Sequence, residues 1–422
     1  MTNTGATWRI TICAAAVMVA AGCGGGAAPL TFSGSVVGRE AEVIERQLER
    51  FRQANPDVPV ALRPTPDAAG QRHQLYVQWL NARAAEPDVL QLDVVWTAEF
   101  AAAGWIAPLD RFHPPVDRFF PAAVAADRWN NVLYALPWFA DVGMLYRRTD
   151  LVPRAPRDLA DLVQLSKQAQ DRHQVPFGFV WQGARYEGLV TVFLEHLGAF
   201  GGAILDPQGR VVVDSDAAVH ALTFMRDTIE RDRIVPAAVL TWQEEQTRLV
   251  FQNGQAAFMR NWPYAFALLE DGSRSAVAGR VAVSSLPAAP GGRPTAALGG
   301  SSLAINAHSN RIPEAYRLIE YLLQPEQMIE RARIAGQFPT RPALYETQAL
   351  ADALAVPAAE ARDVIERAVA RPVTPVYEEL SQILQVALHR ALTRQQEPRE
   401  ALGEAATAMR ALLAKTKLAA AP

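Results

Sequence analysis

The chain has 422 residues, half of them hydrophobic and a fifth charged, with a formal net charge of −3. That length exceeds one small core and implies two or three domains. No basic run exists, which argues against nucleic acid and anionic membrane surfaces as partners. Arginine supplies nearly all positive charge, since the only lysines are Lys167, Lys415 and Lys417.

The N-terminus reads as a targeting segment. Arg9 precedes an apolar run, Ile10 to Ala21, too short to span as a mature helix. The run ends in "VAAGCGGG", small residues before a cysteine and then glycines, which resembles a bacterial lipoprotein cleavage site. Residues 1–22 are then the signal peptide, Cys23 the lipidated first mature residue, and 23–30 a flexible linker. Cleavage removes Cys13 and leaves one cysteine, so neither an intramolecular disulfide nor a cysteine-based metal site is expected. The expected place of the protein is the outer face of the cytoplasmic membrane, held by lipid alone.

From Leu30 strands and helices alternate. "LTFSGSVV" alternates in polarity as a strand does, and "EAEVIERQLERFRQA" carries Ile44, Leu48 and Phe51 on one helical face before Asn55-Pro56 stops it. "VPVAL", "GQRHQLYVQWLNARAA" and "DVLQLDVVW" continue the pattern as strand, helix and strand. The alternation predicts an α/β domain on a mainly parallel sheet. It changes at Leu133 to Val152, a long extended stretch, and a second extended stretch with a Gly-Gly entry runs from Leu298 to Asn310. Two α/β blocks joined by extended crossings predict two lobes around a cleft, which is where open α/β sheets and domain pairs bind small molecules. "FQNGQAAFMRNWPYAF" ends a helix, turns at Asn253-Gly254, runs as a short strand and stops at Pro263 between Trp262 and Tyr264.

Sugars present hydroxyl edges and C–H faces, so a sugar site needs carboxylates, amides and arginines together with aromatic rings. Trp96, Trp138, Trp181 and Trp262 fall at element boundaries, with Asp93, Asp141, Glu187 and Glu244 near them. Taken singly, each such tryptophan reads more readily as core and each acid as a cap or solvated charge. Their shared position at strand ends and crossings favours a site.

The segments "AEPDVLQLDVVWTAEFAAAGWIAPLD", "GFVWQGARYEGLV", "EEQTRLVFQNGQAAFMRNWPYAF", "LGGSSLAI" and "ARPVTPVYEELS" together resemble the solute-binding proteins of sugar ABC importers, the trehalose/maltose-binding lipoproteins in particular. The resemblance implies a periplasmic-binding-protein fold of type II, maltose-binding-protein-like, with lobe 1 from 31–140 and 303–341 and lobe 2 from 146–297 and 345–422. It implies Glu40, Asp93, Asp141 and Glu244 as acceptors from sugar hydroxyls, Arg72 as a donor, and Arg371 as donor of a forked pair. It implies Trp262 and Tyr264 against a glucosyl ring, and Gly299 and Gly300 as points of close backbone approach. Where those relatives carry a stacking tryptophan after Gly-Gly, this chain has Ser301. The implied partners are a disaccharide and the membrane permease of the importer. The implied protein is a monomer with no enzyme activity, cofactor or metal. A glycoside hydrolase, needing two carboxyls across a scissile bond, and a binder of a longer oligosaccharide or a glycerol-phosphate remain as alternatives.

Overall fold

A computed structural model describes residues 28–416 except 67 and 174. The expected signal peptide and Cys23 lie outside the described residues. Among those residues no helix is long and apolar enough to cross a membrane.

Two sheets organise the chain. The first has six strands in the spatial order Phe338–Pro339, Ala135–Val142, Leu298–Ile305, Val89–Asp93, Leu30–Gly34, Val60–Pro64. Its N-terminal part is parallel, as the strand–helix alternation predicts: Leu30–Gly34 pairs in parallel with both Val60–Pro64 and Val89–Asp93. The returning strand Leu298–Ile305 runs antiparallel to both its neighbours, so the sheet as a whole is mixed. The local pattern could not show this, because the return comes after more than 200 intervening residues. The second sheet holds Val281–Ser285, Met144–Arg148, Ala256–Asn261 and Phe177–Val180 in that order.

The helices form as their spacing dictates. Helix Glu40–Ala54 buries Val43, Ile44, Leu48 and Phe51 and carries Glu40 and Glu42 in its first turn, where the dipole favours negative charge. Helix Pro325–Ala335 begins on proline and ends at Gly336, whose φ of 72° supplies the left-handed cap.

The first expected crossing passes between the sheets, whereas strand Leu298–Ile305 of the second lies wholly within the first sheet. Ala135–Val142 belongs to the first sheet and Met144–Arg148 to the second, with Gly143 between. A side chain on Gly143 would lie 1.8 Å from Glu195 Oε1, so only glycine fits there. An apolar cluster continues across this passage, from Phe32, Trp138 and Leu303 to Met144, Tyr146 and Met259. A second cluster, with Phe193, Phe258, Leu388 and Met409, fills the other lobe. Helices Tyr377–Leu392 and Pro398–Thr416 pack on each other and on that lobe. Helix Ala358–Arg367 instead meets strand Ala135–Val142 and the turn Pro342–Glu346, so part of the segment expected in lobe 2 touches the first sheet.

Candidate functional site

Carboxylates converge on the space between the lobes from the ends of elements. Glu40, Glu187 and Glu244 are each the first residue of a helix, where the N-terminal dipole supports negative charge. Asp93 ends its strand at the carboxyl edge of the parallel part of the sheet. Asp141 lies two residues before the Gly143 passage, opposite Gly299 in the sheet register.

Arg371 ties these elements together. Its side chain is almost fully enclosed and donates to Asp93 Oδ1 and Glu187 Oε1, both at 2.8 Å. Asp93 comes from the first lobe and Glu187 from the second, so one guanidinium bridges them. Tyr377 donates to Glu187 at 2.6 Å, and Ser381 donates to its other oxygen. The forked donation expected toward a ligand is thus made here to two carboxylates, leaving only Arg371 Nε without a partner.

On the first-lobe side Glu40 accepts from Gln337, which in turn accepts from the buried Arg331 at 2.7 Å. The Arg331 guanidinium lies 3.7 Å over the Trp138 ring. Trp138, Trp96 and Trp181 are core residues, in line with the bland reading of each. Burial raises the Glu40 carboxyl, against the pull of Arg331 and Arg72. Burial likewise pushes Asp141 up to about 8, helped by the nearby charges of Glu40 and Asp93 and opposed by Arg260 and Arg331. Arg72 is buried with its guanidinium 5.3 Å from the Trp96 ring centre.

The Trp262-Pro263-Tyr264 turn closes the site from the second lobe. Trp262 is half-buried, donates Nε1 to Glu244 at 3.3 Å and rests on the Arg260 guanidinium at 3.9 Å. Arg260 is itself held by Glu195 in a fully buried pair, with Nε to Oε2 at 2.8 Å. Tyr264, expected beside the sugar, is engaged within the protein here. Only 6% of it is exposed, its ring faces Gly38, and its hydroxyl donates to Glu245 at 2.7 Å. Glu245 is further paired with Arg248, so of the two adjacent acids only Glu244 faces the cleft tryptophan.

The two glycines serve packing. Gly300 has φ of 112°, and a Cβ there would meet Phe139 O at 2.2 Å, so the sheet itself requires glycine. At Gly299 a Cβ would lie 3.3 Å from the Trp262 ring, so its bareness makes room for that ring. Ser301, in register with Asp93, accepts from Gln91 at 3.0 Å and is buried.

Several buried polar atoms around this space have no hydrogen-bond partner: Glu40 Oε2, Arg72 Nε, Asp141 Oδ1, Tyr186 OH, Arg331 Nε and Nη2, and Arg371 Nε. Native interiors leave few such atoms, since each costs about 1–3 kcal/mol. They come from both lobes. Sequence reasoning missed Arg331, Tyr186, Gln337 and Arg260. Arg331 was legible as a charge among the buried positions Met328, Ala332 and Ala335 of its helix. Among the described residues no group of His, Cys, Asp and Glu could hold a metal ion.

The comparisons agree with this architecture. The profile of the bacterial extracellular solute-binding proteins matches residues 37–329. A probable ABC transporter-binding protein of Deinococcus radiodurans is 37% identical over 393 residues, covering 89% of this chain and 91% of that protein. The structure of maltose-bound MalE3 of T. maritima superposes with a TM-score of 0.87 at 42% identity, over 91% of this chain and all of that one. A solute-binding protein of Thermotoga lettingae bound with α-D-tagatose superposes at a TM-score of 0.83 over 91% of this chain and 99% of that one; its 22% identity speaks for the fold alone. The chain therefore belongs to the bacterial extracellular solute-binding proteins, with their two-lobed α/β fold, and is a binding protein rather than an enzyme.

Proposed function

We propose that this chain is the substrate-binding lipoprotein of a sugar ABC importer, which takes a glucose-containing disaccharide of the trehalose or maltose type between its lobes and delivers it to the membrane permease. The observation that carries the reading is the set of partnerless buried polar atoms on Glu40, Arg72, Asp141, Tyr186, Arg331 and Arg371. Carboxylates accept from hydroxyls and guanidinium N–H groups donate to them, so this mixture matches a molecule that presents both along its edge. Trp262 offers an apolar face beside them. The maltose held by the T. maritima relative supports the same ligand class.

In this reading Asp93, Glu244 and Trp262 complete the sugar contacts, and Gly299 admits the Trp262 ring. Cys23 carries the lipid that keeps a monomeric protein at the extracytoplasmic face of the membrane. The lobe division near Gly143 and Leu298 marks the hinge. Calorimetric titration with trehalose and maltose tests the ligand. Saturable binding of one of them, weakened in Asp141→Asn, is expected. Absence of binding for both would overturn the disaccharide assignment.

A further inference from the structure

Helix Pro325–Ala335 turns Arg331 toward Trp138 and Glu40, and turns Arg333 toward a separate cavity of about 320 Å³. This cavity shares no lining residue with the partnerless polar set of the cleft. Its walls come from both sheets: Met144, Tyr146 and Val283 from the second, and Phe338 from the first. Phe266 and Val356 add to them, and all six side chains join the same apolar cluster. The Tyr146 hydroxyl donates to Trp262 O at 2.6 Å, so its polar atom is already engaged.

Four charged side chains also line the cavity, and three of them are satisfied within the protein. Arg39 pairs with Glu42 at 2.7 Å, Glu270 accepts from the Gly279 N–H at 3.0 Å, and Asp352 accepts from Gln348 at 2.7 Å. Arg333 is exposed and, among the described residues, has no carboxylate or hydrogen-bond partner. A free guanidinium beside an apolar hollow complements a molecule with one carboxylate and a hydrocarbon body. The same walls disfavour a sugar, whose hydroxyls would leave water and find few partners. The volume equals about ten waters at ~30 Å³ each, which a tail of roughly ten carbons displaces.

We propose that this cavity is a second binding site, for a medium-chain aliphatic carboxylate whose tail fills the hollow and whose head group meets Arg333. The inference stands on the cavity and its charges and does not depend on the sugar reading.

Titration calorimetry of the whole chain with hexanoate, octanoate, decanoate and dodecanoate tests it, with decyltrimethylammonium as the probe of opposite charge, on wild type, Arg333→Gln and Ala353→Trp. Affinity should rise about fourfold per added methylene while the tail still fits, and level off near ten carbons. Decyltrimethylammonium should bind at least about tenfold more weakly than decanoate, having lost the guanidinium contact. Arg333→Gln should weaken decanoate about 5- to 50-fold without moving the urea midpoint, since the side chain is exposed. Ala353→Trp, which fills a lining position, should abolish binding. Equal binding of the two head groups, an unchanged affinity in Arg333→Gln, or an affinity that climbs with tail length alike in all three proteins would show adsorption to general apolar surface and overturn the site. No binding of any of the carboxylates to wild type would overturn it as well.

Discussion

Replacing Arg371 with methionine isolates the bridge between the lobes. The side chain is 2% exposed and its two donated bonds, each 2.8 Å, reach carboxylates that are themselves largely covered. Methionine keeps most of the volume and removes the charge. Asp93 and Glu187 then face each other across the lobes without a cation, although Tyr377 and Ser381 still donate to Glu187. Breaking a buried pair by removing one partner costs about 3–5 kcal/mol, mostly the penalty of the stranded charge. The hydroxyl donors to Glu187 place the expected loss at the lower end, about 3 kcal/mol. Neutralising the stranded partners should restore most of it, so the triple variant Arg371→Met, Asp93→Asn, Glu187→Gln should unfold close to wild type. Urea denaturation followed by tryptophan fluorescence reads both. A single variant with the wild-type midpoint, or a triple variant no better than the single one, would refute the argument that Arg371 is an electrostatic bridge.

Trp262→Ala should weaken disaccharide binding by about 30- to 1,000-fold, as loss of a central aromatic contact does. Because Trp262 is only half-buried, its unfolding free energy should fall by less than the ~3–5 kcal/mol of a fully buried aromatic, which side-by-side calorimetry and urea titration can check. Asp141 is raised to about 8 in the folded state, so the folded protein retains a proton that the unfolded chain releases near pH 4. Stability should therefore fall as pH rises from about 4 to 8, by up to ~1.4 kcal/mol per unit from this group, and Asp141→Asn should flatten that slope in a pH series of urea midpoints. Gly300→Ala should lower stability by roughly 1–3 kcal/mol through strain at positive φ and the clash with Phe139, whereas Gly299→Ala should lower it less, since its tightest contact is the Trp262 ring at 3.3 Å.

Much of this architecture could be read from local pattern. The strand–helix alternation from Leu30 to Asp93 gave the parallel half of the first sheet, because each unit closes on its neighbour. Helix Glu40–Ala54 fell where its apolar spacing placed it. The antiparallel return of Leu298–Ile305 was invisible, since nothing in an apolar strand records its direction. Strand-end and helix-start acids were visible as candidates, yet their partners were not. Glu187 stands in "GARYEGL", but its tie to Arg371 spans 184 residues and exists only in three dimensions. The placing of Tyr264 was not legible either, since an aromatic beside a proline turn looks the same in sequence whether its ring faces open space or, as here, Gly38.

Glu195 has a role wider than its pairing with Arg260. One of its oxygens lies where a Gly143 side chain would be, and the same oxygen accepts from the backbone N–H of Ala297 at 3.4 Å. Both passages of the chain between the lobes therefore stand on one carboxylate of the second lobe. Beyond that footing the strand register slips between Ser301 and Ser302, and Gly300 adopts positive φ.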